Sequence, residues 1–99
     1  MPGISRNNDL AKTGHLCTPI VGVKASQSSV KANGTPLLRR GDRCKPHTIL
    51  KGILCVGHSA KVNRASRTVF AEGIPVARIG DSTDMGAMFK GSRDVVAGG

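Results

Sequence analysis

The chain has no tryptophan and no tyrosine, and Phe70 and Phe89 are its only phenyl side chains. So few aromatic rings leave little with which to stack nucleic-acid bases. Acidic residues are scarce as well: 6 Asp+Glu stand against 15 Lys+Arg, a formal net charge of +9 over 99 residues. No run of about 18 apolar residues occurs, which excludes a transmembrane helix. The segment Met1-Pro2-Gly3-Ile4-Ser5-Arg6-Asn7-Asn8 has no apolar h-region, so the expectation is synthesis in the cytoplasm without a signal peptide. Sustained helical periodicity bounded by caps is missing too. What is present is 38% hydrophobic residues and 13 glycines. That is too apolar for a disordered basic tail. The reading is one small folded domain over residues 1–99, with room for a single core.

Cysteine is present in an odd number, as Cys17, Cys44 and Cys55, so a closed disulfide framework cannot use all of them. In a reducing compartment such cysteines are buried apolar groups or metal ligands. His15, His47 and His58, all the histidines of the chain, share the same central stretch. A domain this small buries only about 60% of its unfolded surface, and a metal staple would help it.

The chain repeats itself. Ser29-Val30-Lys31-Ala32-Asn33-Gly34-Thr35-Pro36-Leu37-Leu38-Arg39-Arg40-Gly41-Asp42 lies over Thr68-Val69-Phe70-Ala71-Glu72-Gly73-Ile74-Pro75-Val76-Ala77-Arg78-Ile79-Gly80-Asp81 at an offset of 39. Val, Ala, Gly, Pro, Arg, Gly and Asp coincide. A third copy is split between the ends: Asp94-Val95-Val96-Ala97-Gly98-Gly99 repeats the start of the unit and Arg6-Asn7-Asn8-Asp9 its finish. Pseudo-repeats of about 6–34, 39–73 and 78–99 make three related arms, hence a pseudo-threefold object. Each full copy places a turn pair, Asn33-Gly34 or Glu72-Gly73, between short β-prone stretches. That is a strong hairpin signal, and Pro36 and Pro75 fit edge strands. The fold class expected is all-β, with short hairpin arms joined by loops. Each Arg-x-x-Asp pair, Arg6/Asp9, Arg39/Asp42 and Arg78/Asp81, could pin its loop through a charge-assisted bond; the alternative is solvated surface charge.

His15-Leu16-Cys17, Cys44-Lys45-Pro46-His47 and Cys55-Val56-Gly57-His58 offer donors of the kind zinc takes, four N or S atoms in a tetrahedron. One reading uses Cys44/His47 and Cys55/His58 alone. The reading by repeats takes His15, His47, His58 and one cysteine, with Cys55 first because it shares a turn with His58, then Cys17, then Cys44. After Asp81 the matching place holds Asp84-Met85-Gly86, and Met85 is a poor zinc ligand. One structural metal ion follows, zinc by preference and iron as the alternative.

These residues resemble the PAAR-repeat family. Its hallmark is a short strand, Asn-Gly-x-Pro, a small residue, Arg, a spacer and Gly-Asp, found here from Val30 to Asp42 and from Val69 to Asp81. Gly14-His15-Leu16-Cys17-Thr18-Pro19 and Cys55-Val56-Gly57-His58 also look like segments of its phage-type members. The sequence departs from the pattern where Asn8 replaces the Gly before Asp9, where Leu38 and Arg40 replace an Ala and an aliphatic spacer, and where Asp84-Met85-Gly86 stands in place of Cys-Gly. The resemblance implies a small cone, metal-stapled at its apex, that caps and sharpens the trimeric β-helical spike of a contractile tail. It implies a phage baseplate (a virion component) or a type VI secretion spike as the setting. The partner implied is the C-terminal end of the spike protein, one copy per trimer, with transient contact with a target outer membrane, no specific nucleic acid and a monomer when free. No fused effector is expected. Val95 and Val96, as repeat ends, are expected nearer the docking base than the His/Cys loops.

Two other functions compete. The charge suits a zinc-dependent nucleic-acid-binding module, but the basic residues are spread without a recognition helix. A metallohydrolase would need an open metal position and a general base. Glu72, the only Glu, lies at a repeat turn, and no Ser/His/Asp arrangement occurs, so the expectation is no enzyme.

Overall fold

Asn33 and Gly34 adopt φ of 53° and 75°, and Glu72 and Gly73 φ of 51° and 79°. Positive φ at both central residues is the signature of the type I′ turn, whose twist matches that of paired strands. The chain reverses at both places, as the repeats require. A computed structural model describes residues 1–51 and 53–99. Its strands are β1 (Leu10–Lys12), β2 (Ile20–Gly22), β3 (Lys31–Ala32), β4 (Thr35–Pro36), β5 (His47–Lys51), β6 (Leu54–His58), β7 (Phe70–Ala71), β8 (Ile74–Pro75), β9 (Ser82–Thr83) and β10 (Gly86–Met88). They pair into an antiparallel sheet of order β2-β1-β10-β9 and three separate hairpins, β3–β4, β5–β6 and β7–β8. No helix occurs among the described residues, and the fold is all-β. The molecule is elongated, 41 × 23 × 20 Å.

A third arm is assembled from the two chain ends. Gly3 bridges Val96, as Pro36 pairs with Lys31 and Pro75 with Phe70. The Ile4 amide donates to the Val95 carbonyl at 2.9 Å, as Leu37 does to Val30 and Val76 to Val69, both at 3.1 Å. Here no turn joins the strands, so the hairpin is closed by backbone pairing alone.

The three arms meet in a ring of main-chain bonds. The Ser5 amide donates to Ala77 O, Ala77 to Leu38 O and Leu38 to Ser5 O, each at 2.9 Å. All three residues are fully buried. Three further bonds run beside them: Asn7 to Pro36 O at 2.7 Å, Arg40 to Pro75 O at 2.8 Å and Ile79 to Gly3 O at 2.9 Å. The prolines lack an N–H but serve here only as acceptors.

Each Arg-x-x-Asp closes the same turn. The Asp amide donates to the Arg carbonyl at 2.8, 3.1 and 3.0 Å, and Asp Oδ2 accepts the Arg amide at 2.7, 2.8 and 2.8 Å, in chain order. The residue before the Asp takes positive φ: 70° at Asn8, 91° at Gly41 and 93° at Gly80. Asn tolerates this left-handed region better than most side chains, so Asn8 replaces glycine without changing the turn. Arg6 Nε and Arg78 Nε also pair with their Asp, at 3.1 and 3.0 Å. Buried Arg39 differs: its Nη2 donates to Ser26 Oγ at 2.9 Å, and Ser26 in turn bonds Asp42.

Adjacent residues of an extended chain face opposite ways, so the ring divides two apolar clusters. Ile4, Leu37 and Val76 go to one, with Ala71, Ala97 and the partly buried Val30, Val69 and Val95. Leu38 and Ala77 go to the other, with Ala11, Val21, Val23, Cys44, Val62 and Met88.

The stretch from Cys44 to His58 is not a pair of ligand-bearing turns. It holds the longest hairpin, paired from His47↔His58 to Lys51↔Leu54. β-Branched Thr48, Ile49 and Val56 favour the extended form.

Candidate metal centre

His47 and His58 are cross-strand partners at the open end of β5–β6. Opposed residues have Cβ atoms about 5 Å apart, so both imidazoles reach one point. His15 arrives from the loop after β1. Its amide is held by Thr13 Oγ1 at 3.0 Å. Gly14, at φ 81°, lets that loop approach the β9–β10 turn: a Cβ there would lie 2.8 Å from the Met85 carbonyl. That turn has two residues, and Asp84, its first, adopts φ 57°.

The four side chains converge. Asp84 Oδ1 lies 2.8 Å from His15 Nε2 and 3.2 Å from His58 Nε2, and Asp84 Oδ2 lies 2.8 Å from His47 Nε2. One donor atom from each residue falls within 4.8 Å of all the others. The carboxylate is only 4% exposed and the His47 side chain 1%. The imidazole centroids are 5.0 to 5.9 Å apart.

The donor set fits a metal ion. His47 Nδ1 is 2.9 Å from the Lys45 carbonyl, which can only accept, so Nδ1 carries the proton. In the neutral ring Nε2 then presents its lone pair to the centre, the arrangement that second partners impose on metal-binding histidines. Three nitrogens and one carboxylate oxygen are donors that zinc takes. Without a cation, an ionised Asp84 would need hydrogen bonds from the imidazoles. Burial is the largest single influence on its pKa and raises it, but hydrogen bonds from His15, His47 and His58 outweigh burial and hold the carboxyl below the ordinary value.

The structure brings His15, His47 and His58 together but not Cys55. Its sulfur is bonded to that of Cys17, across 38 positions of sequence. Cys55 lies three residues before His58 on β6, and such residues point to opposite faces of a strand. The Cys-x-x-His spacing suggested one shared turn, and the strand geometry separates the two. Cys17, the second choice, is spent in the same disulfide. Cys44, the third, is a free thiol buried in the Leu38 cluster, with Sγ 3.2 Å from Thr83 Oγ1. Burial raises its pKa.

The fourth member of the group is Asp84, which the sequence reading passed over for its neighbour Met85. The signal was there: the repeat register marks Asp84-Met85-Gly86 as the third arm's ligand position, and a carboxylate is an acceptable zinc ligand. The group adjoins the Leu38 cluster through Thr83 and Cys44, whereas Val95 packs in the cluster across the ring.

The centre can therefore tie the loop at His15, both strands of β5–β6 and the β9–β10 turn to one ion. A family model described as PAAR motif matches residues 10–91. No curated protein matches the chain significantly.

Proposed function

The chain belongs to the PAAR-motif family, spike-tip proteins of contractile injection systems, and on that premise we propose that it is a non-enzymatic, metal-stabilised point capping the end of a trimeric β-helical spike. The observation that carries this reading is the ring of Ser5, Leu38 and Ala77 with its three equivalent arms. It gives a single chain an internal pseudo-threefold symmetry, and a threefold partner is matched by one copy. The arms are built of short strands, and pairing of strand edges across a junction is an available docking mode. The working setting is a phage tail or a secretion-system spike, with transient contact with a target outer membrane.

His15, His47, His58 and Asp84 would hold the ion, with Asp84 in the place expected for Cys55. Zinc is the first choice, since nitrogen and carboxylate donors suit it, and iron accepts the same set. When bound, the ion supplies bonds that tie segments remote in sequence, and local opening would have to break them. The residues themselves prepare the site: Lys45 O fixes the His47 tautomer, Thr13 fixes the His15 backbone, and the Cys17–Cys55 disulfide fastens the His15 loop to the hairpin beyond the histidines.

Native mass spectrometry of the protein with a trimeric spike fragment tests this. A metal-bearing monomer that adds once per three spike chains is the expected result. Failure to bind any spike offered, or binding of three copies per trimer, would refute the docking reading.

A further inference from the structure

The pseudo-threefold arrangement creates three equivalent places between the arms, and two of them are neutralised from within by an acidic side chain. Beside Arg6, Asp94 accepts from Asn33 Nδ2 at 2.8 Å and from Ser92 Oγ at 2.9 Å. At the place of Arg39, Ser29 is hydrogen-bonded to Glu72 and the arginine itself is buried. The third, a cleft of about 610 Å³, is lined by Arg40, Arg64, Arg67, Arg78, Asn63 and Thr68, with the main chain of Gly99 at its edge. By the repeat register Thr68 stands where Asp94 and Ser29 stand, and Gly98 where Asn33 and Glu72 stand. No carboxylate side chain lines it. With Arg78 paired to Asp81, Arg40, Arg64 and Arg67 are the three positive charges of the cleft left without a counter-charge among the described residues.

Arg78 has a structural task, since it grips Asp81 through Nε and Nη2 at 3.0 and 3.1 Å. The guanidiniums of Arg40, Arg64 and Arg67 have none: among the described residues they make no side-chain hydrogen bond and no ion pair. Their pseudo-equivalents show that the fold does not demand them. Arg40 corresponds to Ile79 and Asn7, Arg64 to Ala25 and Lys90, and Arg67 to Ser28 and Arg93. Like charges gathered in one concave place repel unless a counter-charge joins them. Planar guanidinium forks match phosphate oxygens two at a time.

We propose that this cleft binds a multiply charged phosphate group, of which pyrophosphate is the simplest. The group can come from a soluble anion or from a phosphorylated lipid headgroup. The test uses the free chain and no spike, so failure of either reading leaves the other standing.

The test is calorimetric titration of inorganic pyrophosphate into the full chain. One site per chain is expected. The double substitution Arg64→Ala, Arg67→Ala is expected to weaken it about a hundredfold, roughly tenfold per charge-assisted partner. Arg40→Gln alone is expected to weaken it about tenfold. Arg93→Ala, at the neutralised cleft, is the control and is expected to leave affinity within about twofold. All these side chains are exposed, and an unchanged melting temperature verifies folding. Absence of binding, or equal weakening by Arg93→Ala, would overturn the proposal, the latter by reducing it to diffuse charge. Vesicles of phosphatidic acid, whose phosphomonoester can carry two charges, in phosphatidylcholine separate the sources. Recruitment lost in the double variant and competed by pyrophosphate points to a lipid headgroup, and pyrophosphate binding without recruitment points to a soluble anion.

Discussion

Asp84→Asn removes one negative charge from the centre of three imidazoles and leaves almost everything else. Asn is nearly the same size, and it tolerates the φ of 57° that the turn imposes there. A change in behaviour is therefore attributable to the donor rather than to the backbone. The carboxylate is 4% exposed and lies 2.8 to 3.2 Å from three ring nitrogens, so water cannot readily take its place. Loss of a hydrogen-bonded partner behind a ligand typically weakens a metal site about 10- to 100-fold. Loss of a ligand itself sets that range as a lower bound, which is about 1.4 to 2.7 kcal/mol or more of binding. Binding to the folded state alone adds directly to stability. About 1 kcal/mol shifts the melting temperature of a domain this size by roughly 4–8 °C, so the holo-protein is expected to melt about 5–20 °C lower. Scanning calorimetry with and without chelator, beside elemental analysis, measures it. The chelator-induced drop in wild type, minus that in the variant, isolates the coordination term from any effect on the turn. Full metal content in the variant with an unchanged chelator-induced drop would refute Asp84 as a ligand, and a wild-type protein indifferent to chelator would refute the metal altogether. Acid adds a check of sign. The Asp84 pKa is lowered in the folded protein, so its contribution is present above the ordinary carboxylate value and is lost as pH falls toward the folded one.

Cys17→Ser with Cys55→Ser opens a loop closed across 38 positions, for which chain entropy gives about 4 kcal/mol. Denaturant unfolding is expected to show that loss while metal content stays the same, since Gly14 and Thr13 already seat the His15 loop; a lost metal would mean that the disulfide is what holds His15 at the centre. Leu38→Ala empties a fully buried site at the ring and is expected to cost about 2–5 kcal/mol by chemical unfolding. Loss within experimental error would mean that the ring is not part of the cooperative core. The free Cys44 thiol is buried, with its pKa raised by desolvation. Thiol reagents are therefore expected to label it only as fast as the protein opens, and rapid labelling under native conditions would contradict the packing. A raised pKa favours the protonated thiol in the folded state, so its contribution is complete below the ordinary thiol value and lost as pH rises through the folded one.

Some of this architecture was legible because it depends on neighbours in sequence. Asn33-Gly34 reverses the chain by its own backbone preferences, and the repeat carries the same instruction to Glu72-Gly73 even though Glu is a poor residue for positive φ. The split third copy was legible too, since Val95, Ala97 and Gly99 keep register with the full copies. The long hairpin at His47–His58 was missed. Cys-x-x-His spacing suits a turn as readily as a strand, and the β-branched residues between the histidines are what extend the hairpin. The disulfide could not be read, because pairing cysteines 38 positions apart depends on where the His15 loop lies against β6.

An all-β chain of three related arms, the type I′ turns that shape two of them, the Arg-x-x-Asp turns that end them and the three histidines of the candidate centre are all readable along the chain. These follow from local conformational preference and from self-similarity, both of which are written along the chain. Only the tertiary structure decided which side chain completes the histidine group. Strand alternation turns Cys55 away toward Cys17, and a close approach permitted by Gly14 brings Asp84 in. Packing also brings Arg40, Arg64 and Arg67 into one cleft that no carboxylate side chain lines. Side-chain direction and the meeting of distant segments are properties of the packed chain, and residue spacing alone does not encode them.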